Sequence, residues 1–355
     1  MAMNDKVKDQ MVGANQENET SKTILVTGGA GFIGSNFVLH MISKYPHYKI
    51  INLDSLTYAG NLDNLKSIEG NQSHVFLKGD ICDSQFVDSI FKEYQPEAVV
   101  NFAAESHVDR SILDPQVFLR TNILGTQTLL DAAKNHWVSN PEARFVQVST
   151  DEVYGSLGET GYFEETTPLA PNSPYSASKA SADMFVRAYH ETFSLNTSIT
   201  RCSNNYGPFQ FPEKLIPLII SNALEDKKLP VYGDGLNVRD WLYVEDHCIA
   251  IDSVLHSGKA GEVYNVGGHN EKTNIDIVKI ILEELGKPNT LIQYVEDRLG
   301  HDKRYAINPN KMKDELNWEP TVMFEEGIRR TIRWYLDNQT WLNRVKNGEY
   351  QLEIL

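Results

Sequence analysis

From Thr23 onward the chain alternates short, almost wholly apolar runs with longer stretches whose apolar residues recur every three or four positions. Thr23 to Thr27 reads TILVT. Tyr48 to Asp54, His74 to Lys78, Ala98 to Phe102 and Arg144 to Ser149 repeat the short type, and Thr197 to Cys202 extends the series. Between them Ser35 to Ser43, Asp83 to Tyr94, Pro115 to Trp137 and Tyr175 to Phe193 read as helices. Short runs with no polar face fit strands covered on both sides. Their alternation with helices predicts an α/β fold on a doubly wound parallel sheet.

The rhythm breaks near residue 203. Turn signals crowd in at Tyr206-Gly207-Pro208, Gly233-Asp234-Gly235 and Gly267-Gly268. Helices are expected over Glu213 to Glu225, Val244 to His256, Asn274 to Leu285 and Phe324 to Asn338. The pattern predicts a first domain over residues 22–202 and a smaller mixed α/β substrate domain over residues 203–355, with residues 241–266 returning to the first. Residues 1–21 are polar and lack an apolar stretch, so they read as a disordered leader or an expression remnant.

Composition narrows the partners. Hydrophobic residues are 41% and charged residues 23%, the balance of an ordinary globular chain. No apolar run approaches the roughly 18 residues of a membrane span, and the best one, Leu215 to Ile220, is broken by Pro217. A net charge of -15 disfavours nonspecific binding to nucleic acid or an anionic membrane, which leaves a small ligand held by local donors. Cys82, Cys202 and Cys248 are odd in number and widely spaced. They suggest neither a disulfide framework nor a metal site, and fit a reduced cytoplasmic protein.

The segment Gly28-Gly29-Ala30-Gly31-Phe32-Ile33-Gly34 points to chemistry. Gly28, Gly31 and Gly34 follow a strand and open a helix. Glycine there permits a tight turn, close approach of backbone to a pyrophosphate, and helix packing on the sheet. The helix N-terminus then offers unpaired N–H groups to phosphate. Asp54, ending the second strand, would accept hydrogen bonds from ribose hydroxyls and repel a 2′-phosphate, favouring NAD over NADP. Capping of the next turn is its alternative role. Asp80 has the same two readings, an adenine contact or a cap.

Tyr175 and Lys179 lie four apart and share one face of a helix. An ammonium beside a phenol lowers its pKa, so the phenolate can take a proton from a hydroxyl while hydride leaves to nicotinamide. Alone, such a pair is commonly a solvated surface contact. It gains meaning from the glycine loop upstream and from Ser149-Thr150 ending a strand between them.

TGGAGFIGSN at Thr27 to Asn36, NFAAESHVDRS at Asn101 to Ser111, and Tyr175 to Lys179 resemble the extended short-chain dehydrogenase/reductases, over essentially everything after residue 21. The resemblance implies a Rossmann-type domain that keeps NAD bound and a smaller C-terminal domain for a sugar nucleotide. It assigns Phe32, Ile33, Ser55, Leu56, Thr57 and Ile81 to the cofactor wall. Phe102, Ala103, Ala104, Ser106, Thr121 and Asn205 join them, beside Tyr175 and Lys179.

Ser149-Thr150-Asp151-Glu152-Val153-Tyr154-Gly155 sharpens the reading. A 4-epimerase of this superfamily needs no acid/base pair after the hydroxyl residue. Two adjacent carboxylates in a closed site tend to separate their pKa values, leaving one acid and one base. Loss of water requires that division of labour. Here the chain resembles the nucleotide-sugar 4,6-dehydratases. The resemblance implies that Tyr175 deprotonates the sugar 4-hydroxyl while Thr150 holds the 4-oxygen. Glu152 then removes the proton beside the new ketone, Asp151 protonates the departing 6-hydroxyl, and hydride returns to carbon 6. The plain alternative for Asp151 and Glu152 is a solvated turn.

For the nucleotide, the resemblance places Asn204 toward substrate and Asn205 toward cofactor. Lys214, Leu215, Pro230, Val231 and Tyr232 would wall the base and phosphates, and Ser106 would touch the sugar. Arg239 suits a diphosphate, since guanidinium binds two oxygens at once. Asn274 and Asp297, Arg298 and His301 complete the match. Relatives read Asp-Arg-Pro-Gly-His then Asp-Arg-Arg, whereas this chain has Leu299 and Lys303. Losing proline frees the backbone before Gly300, and lysine lacks the planar fork. The implied substrate is dTDP-glucose, with uridine as the open alternative for the base. His107 is either a sugar contact or a structural histidine. A 4-epimerase, a silent NAD-sensing protein and a plain alcohol dehydrogenase are the rival functions. The long helices Pro115 to Trp137 and Tyr175 to Phe193 would pair as a four-helix homodimer interface.

Overall fold

The computed structural model describes residues 21–354, with side chains as far as residue 351. The expected leader lies outside the described residues except for Ser21, whose hydroxyl donates to the His47 carbonyl at 2.8 Å.

The first half supplies β1 (Thr23–Thr27), α1 (Phe32–Lys44), β2 (Lys49–Asp54), β3 (His74–Lys78), α2 (Ser84–Tyr94), β4 (Ala98–Asn101), α3 (Val108–Leu113), α4 (Pro115–Phe118), α5 (Thr126–His136), β5 (Arg144–Thr150), α6 (Pro174–Phe193) and β6 (Thr197–Cys202). The second half supplies β7 (Asn204–Tyr206), α7 (Leu215–Leu224), β8 (Leu229–Tyr232), β9 (Val238–Tyr243), α8 (Val244–Ser257), β10 (Val263–Val266), β11 (Glu271–Thr273), α9 (Asn274–Glu284), β12 (Ile292–Val295), α10 (Asn310–Leu316), α11 (Phe324–Asp337) and α12 (Gln339–Lys346).

The main sheet has seven parallel strands in the order β10-β6-β5-β4-β1-β2-β3. Strand residues alternate between its faces. Ile24 and Val26 join a core with Phe37 and Met41 of α1 and Ile251 and Val254 of α8. Leu25 points the other way, into a core with Phe91 of α2, Leu129 of α5 and Val186 of α6. Both faces are thus covered, which is why the strands read as apolar throughout. The order reverses direction between β1 and β4, and a crevice opens there at the carboxyl ends of the strands. Beneath it runs a buried polar ladder. Thr27 donates to Asn101 Oδ1 at 2.6 Å, and Asn101 Nδ2 donates to Gln147 Oε1 at 2.8 Å.

The second half has its own core, where Ile219 and Ile220 of α7 meet Ile277 and Val278 of α9 and Phe324 and Ile328 of α11. Its strands form two small sheets, β11-β9-β7 and β12-β8. The chain crosses back twice. Residues Val244–Val266 supply α8 and β10 to the main sheet, and Met312 and Trp318 pack in the first core as well. The second crossing has no counterpart in the sequence expectation, because α10 is short and mostly polar.

One expected helix is interrupted. Between α4 and α5 the stretch Leu119–Gly125 is π-helical. Asn122 within it donates through Nδ2 to Ser178 Oγ of α6 at 2.8 Å and accepts the Glu105 N–H at 2.8 Å. A π turn inserts one residue and re-aims the side chains that follow. Here it lets one buried asparagine tie the loop after β4 to the catalytic helix.

Candidate active site

A cleft of about 490 Å³ opens at the crevice. It brings together Gly28, Gly31, Asp54, Asp80, Thr150, Asp151, Glu152, Tyr175, Lys179, Asn204, Asn205 and Lys214, which lie as much as 186 residues apart in sequence. Phe32, Ile33, Gly34, Ser55, Thr57, Ile81, Phe102, Ala103, Ala104, Ser106 and Thr121 also line it.

The cradle fits a dinucleotide. Gly28 has φ +70°, and a Cβ there would meet the Ala103 nitrogen at 2.7 Å. A Cβ on Gly34 would meet the Gly28 carbonyl oxygen at 2.2 Å, so helix α1 can sit against the strand end only as glycine. Helix α1 opens on Gly31 with no side chain capping its first N–H groups, which leaves that end available to phosphate. Asp54 accepts the Ala30 N–H at 2.9 Å and the Leu56 N–H at 2.8 Å, so it does cap the turn. Each of its oxygens keeps a further lone pair for a ribose hydroxyl. Burial raises its pKa against those two backbone bonds. Asp80 likewise caps, accepting the Cys82 N–H at 2.9 Å, and pairs with Arg120 at 3.0 Å. Leu56 departs from expectation. It has φ 53°, packs against the first core, and does not line the cleft.

Tyr175 sits in the first turn of α6. That turn starts where it does because Ser173 caps it, with a reciprocal bond from Ser176, and Pro174 takes the first helical position. The Tyr175 ring meets the Phe118 ring edge-on at 6.3 Å, and the Thr150 side chain acts on its phenol to lower the pKa. Lys179, one turn on, donates from Nζ to the Val148 carbonyl at 2.7 Å. The expected lowering of the phenol's pKa is not what this setting produces. Burial, then the charges of Glu152, Cys202 and Asp151, push Tyr175 well above the usual phenol range. Burial also lowers Lys179. The Lys179 ammonium donates to a carbonyl, and the charges that act on the phenol are negative.

The two carboxylates differ in their neighbours. Asp151 is buried, with Oδ2 free of any hydrogen bond and Oδ1 accepting from the Thr150 hydroxyl at 3.4 Å. Burial, then the negative charges of Glu152 and Asp240, raises its pKa well above the carboxylate range. Glu152 is also raised by burial, but Arg239, Lys214 and Arg298 pull it back. Burial thus raises both carboxyls, Asp151 further, and Glu152 has more cations opposing the rise. Neither is a solvated turn.

The expected nucleotide residues form a second group flanking the cleft. Arg239 lies over the Tyr305 ring at 4.3 Å and donates to the Val238 carbonyl at 2.8 Å and the Asp302 carbonyl at 2.9 Å. Arg298 lies over the Tyr232 ring at 4.7 Å, and His301 Nδ1 meets Asp297 Oδ1 at 2.6 Å. Asn274 opens α9, its N–H on the Asn237 carbonyl at 3.0 Å. None of these residues lines the cleft, and Arg239 and Arg298 act on it electrostatically through Glu152. Two others turn away. Val231 points into the second core while its strand neighbours Pro230 and Tyr232 face outward, by the period-two rule, and the Leu215 side chain packs on that core too. His107 takes the structural role, accepting the Arg110 N–H at 3.4 Å and lying 3.7 Å from Glu213.

The cleft also contains residues absent from the sequence expectation, among them Tyr58, Glu105, Cys202, Gln210 and Glu213. Cys202 was reachable in principle, because it pairs in register with Thr150 at the carboxyl end of β6. Tyr58 and Gln210 arrive on loops, which strand or helix periodicity does not locate. The Asn205 amide is oriented by His247, whose Nδ1 lies 2.9 Å from Asn205 Oδ1, and burial lowers that imidazole to about 3.

Among the described residues no cluster of histidine, cysteine and acidic groups could hold a metal ion, and no helix is long and apolar enough to cross a membrane. A family model described as GDP-mannose 4,6 dehydratase matches residues 25–331. The dTDP-glucose 4,6-dehydratase of Xanthomonas campestris pv. campestris (strain B100) is 57% identical over 345 residues, which is 93% of this chain and 98% of that protein. The crystal structure of dTDP-glucose 4,6-dehydratase from Bacillus anthracis in complex with NAD matches with a TM-score of 0.85 at 56% identity, covering 92% of this chain and 100% of the other. That from Streptomyces venezuelae, also with NAD bound, matches with a TM-score of 0.87 at 49% identity, covering 91% and 99%.

Proposed function

The chain belongs to the nucleotide-sugar 4,6-dehydratases, among the dTDP-glucose 4,6-dehydratases, and from that premise we infer that it converts dTDP-glucose to dTDP-4-dehydro-6-deoxy-glucose and water with NAD as resident cofactor. The product is a precursor of rhamnose-type deoxysugars. The observation that carries the reading is the buried Asp151-Glu152 pair, both carboxyls raised by burial and Asp151 further, lining one cleft with Tyr175.

NAD bound in this cleft would supply the oxidant for sugar carbon 4 and the reductant for carbon 6, with none consumed overall. Tyr175 takes the proton of the 4-hydroxyl, and Thr150 steadies the 4-oxygen. The resulting ketone acidifies the carbon 5 proton. Glu152 removes that proton as the carbon 6 to oxygen bond breaks, and Asp151 delivers its own proton to the leaving oxygen, releasing water. Carbon 5 is reprotonated as carbon 6 becomes a methyl group. Asp54, Asp80 and the Gly28 to Gly34 turn hold the cofactor. Arg239, Lys214 and Arg298 serve the diphosphate and also oppose the rise in the Glu152 pKa that burial causes. The division of labour is residues 22–202 with the Val244–Val266 return for the cofactor, and most of the remainder of 203–355 for the sugar nucleotide, whereas Trp241 and Tyr243, expected in the return, belong to the second core.

Assay with dTDP-glucose and UDP-glucose in parallel tests this, reading the alkali absorbance of the 4-keto product. Turnover of dTDP-glucose is expected to dominate; preferred turnover of UDP-glucose would overturn the choice of base. A 4-epimerase would give no such absorbance, and a plain dehydrogenase would accumulate reduced cofactor.

A homodimer is supported by apolar side chains exposed along the α3 to α5 run and α6, including Leu119, Leu124, Met184, Phe185 and Phe193. Such a patch commonly marks an association surface. Leu124→Asp with Met184→Asp is expected to shift a dimer to monomer in sedimentation, and an unshifted dimer would refute the four-helix interface. A cytoplasmic location accords with three free cysteines and a biosynthetic substrate.

A further inference from the structure

The C-terminal end of the chain reaches across the molecule to the cofactor loop. Trp341, Leu342 and Val345 of α12, and Tyr350 after it, pack in the core of the sugar-nucleotide half. Their polar atoms and those of Arg344 are spent elsewhere. Trp341 Nε1 donates to Asn64 Oδ1 at 2.9 Å, 277 residues away, in a fully buried bond. Arg344 Nε pairs with Asp63 Oδ2 at 2.8 Å. The Tyr350 hydroxyl donates to the Tyr58 carbonyl. All three land on residues 58–64.

That receiving segment grips the glycine loop. Asn64 Nδ2 donates to the Ala30 carbonyl at 2.9 Å, and the Asn61 N–H donates to the same oxygen at 3.0 Å. The Ala30 N–H is in turn the one held by Asp54. Asn64 is 2% exposed and bonded at both ends of its amide, oxygen to indole and nitrogen to Ala30. Its orientation is therefore set by Trp341. Tyr58 and Gly60, between the anchor points, line the cleft.

We propose that Trp341, Arg344 and Tyr350 are positioning residues for the cofactor, forming a strap from the sugar-nucleotide half that holds residues 58–64, and through Asn64 the glycine loop, in the shape that retains NAD. The inference rests on the reading that this cleft holds NAD. The chemistry explains the need. Hydride must return to the same sugar, so a cofactor lost in mid-turnover strands an oxidised substrate. A surface crossing built from a short 3-10 turn, with Asn64 and Leu65 as its buried residues, opens readily unless something ties it down.

The test compares the full-length chain with Trp341→Phe and Tyr350→Phe, which remove one donor each and keep an aromatic ring. NAD affinity and dissociation rate are measured alongside thymidine diphosphate affinity. Each variant is expected to bind NAD on the order of five- to ten-fold more weakly, as for one lost buried hydrogen bond, with faster release and unchanged thymidine diphosphate affinity. Asn64→Ser, made at the other end of the contact without touching α12, should reproduce the loss. Unchanged NAD release in all three variants would overturn the strap. So would a matching fall in thymidine diphosphate affinity, the mark of general loosening of α12. A wild-type chain that binds no NAD would overturn the cofactor reading and the strap with it, whereas normal wild-type binding beside unaffected variants overturns the strap alone.

Discussion

Tyr175→Phe is expected to abolish oxidation of the sugar, lowering kcat by roughly a hundred- to ten-thousand-fold, the range for removing a general base from its transition state. The substitution keeps the ring against Phe118 and removes only the phenol oxygen on which Thr150 acts. NAD and sugar-nucleotide affinity should change little, so the loss belongs to the chemical step. Rapid mixing with dTDP-glucose should show no reduced nicotinamide absorbance, because the block precedes hydride transfer. A variant that still reduced its cofactor at the wild-type rate would remove Tyr175 from the mechanism. Burial and the nearby carboxylates hold the phenol neutral in this structure. The proton-accepting form would therefore arise only in the loaded site, where a bound oxidised cofactor would supply positive charge.

The Asp151→Asn, Glu152→Gln double variant is the complementary result. Oxidation should survive, since Tyr175 and Thr150 remain, while elimination slows by roughly a hundred-fold or more for each lost acid or base. Reduced cofactor should then build up on mixing with dTDP-glucose and persist, with little 4-keto-6-deoxy product. Full dehydration by the double variant would sink the assignment. The pH dependence separates the two roles. Glu152 must be ionised to accept a proton, and burial raises its pKa, so elimination should fail as pH drops through that raised value. Asp151 must be protonated to donate, and its pKa is raised further, so activity should fail again as pH rises through it. Asp151→Asn alone should lower the rate at every pH and remove the alkaline limb. Retention of that limb would mean another group sets it.

Much of this site is legible in the chain because its parts are local. The glycine loop, Tyr175 to Lys179 and Ser149 to Gly155 are each contiguous, and each draws its meaning from the strand or helix it ends or begins. The corrections fall where a side chain's direction depends on packing. Leu56 and Val231 were expected at the ligand and turn into cores instead. The π turn at Leu119–Gly125 does not show in hydrophobic periodicity, because the inserted residue leaves the apolar face nearly continuous. Tyr58, Cys202 and Gln210 reach the cleft from separate loops and strand ends.

The sheet, the glycine loop and the candidate reactive groups are readable from the chain alone, since strand and helix patterning and short motifs are encoded within a few residues of one another. The tertiary structure alone decided their electrostatic states. Asp151 and Glu152 are neighbours in the chain and chemically similar. Arg239 acts on both, but Asp240 adds negative charge at Asp151 while Lys214 and Arg298 add positive charge at Glu152, all of them distant in sequence. It also decided that Trp341 reaches Asn64. A charge's effect on a buried neighbour depends on distance and on the water excluded between them, and only the folded chain sets either.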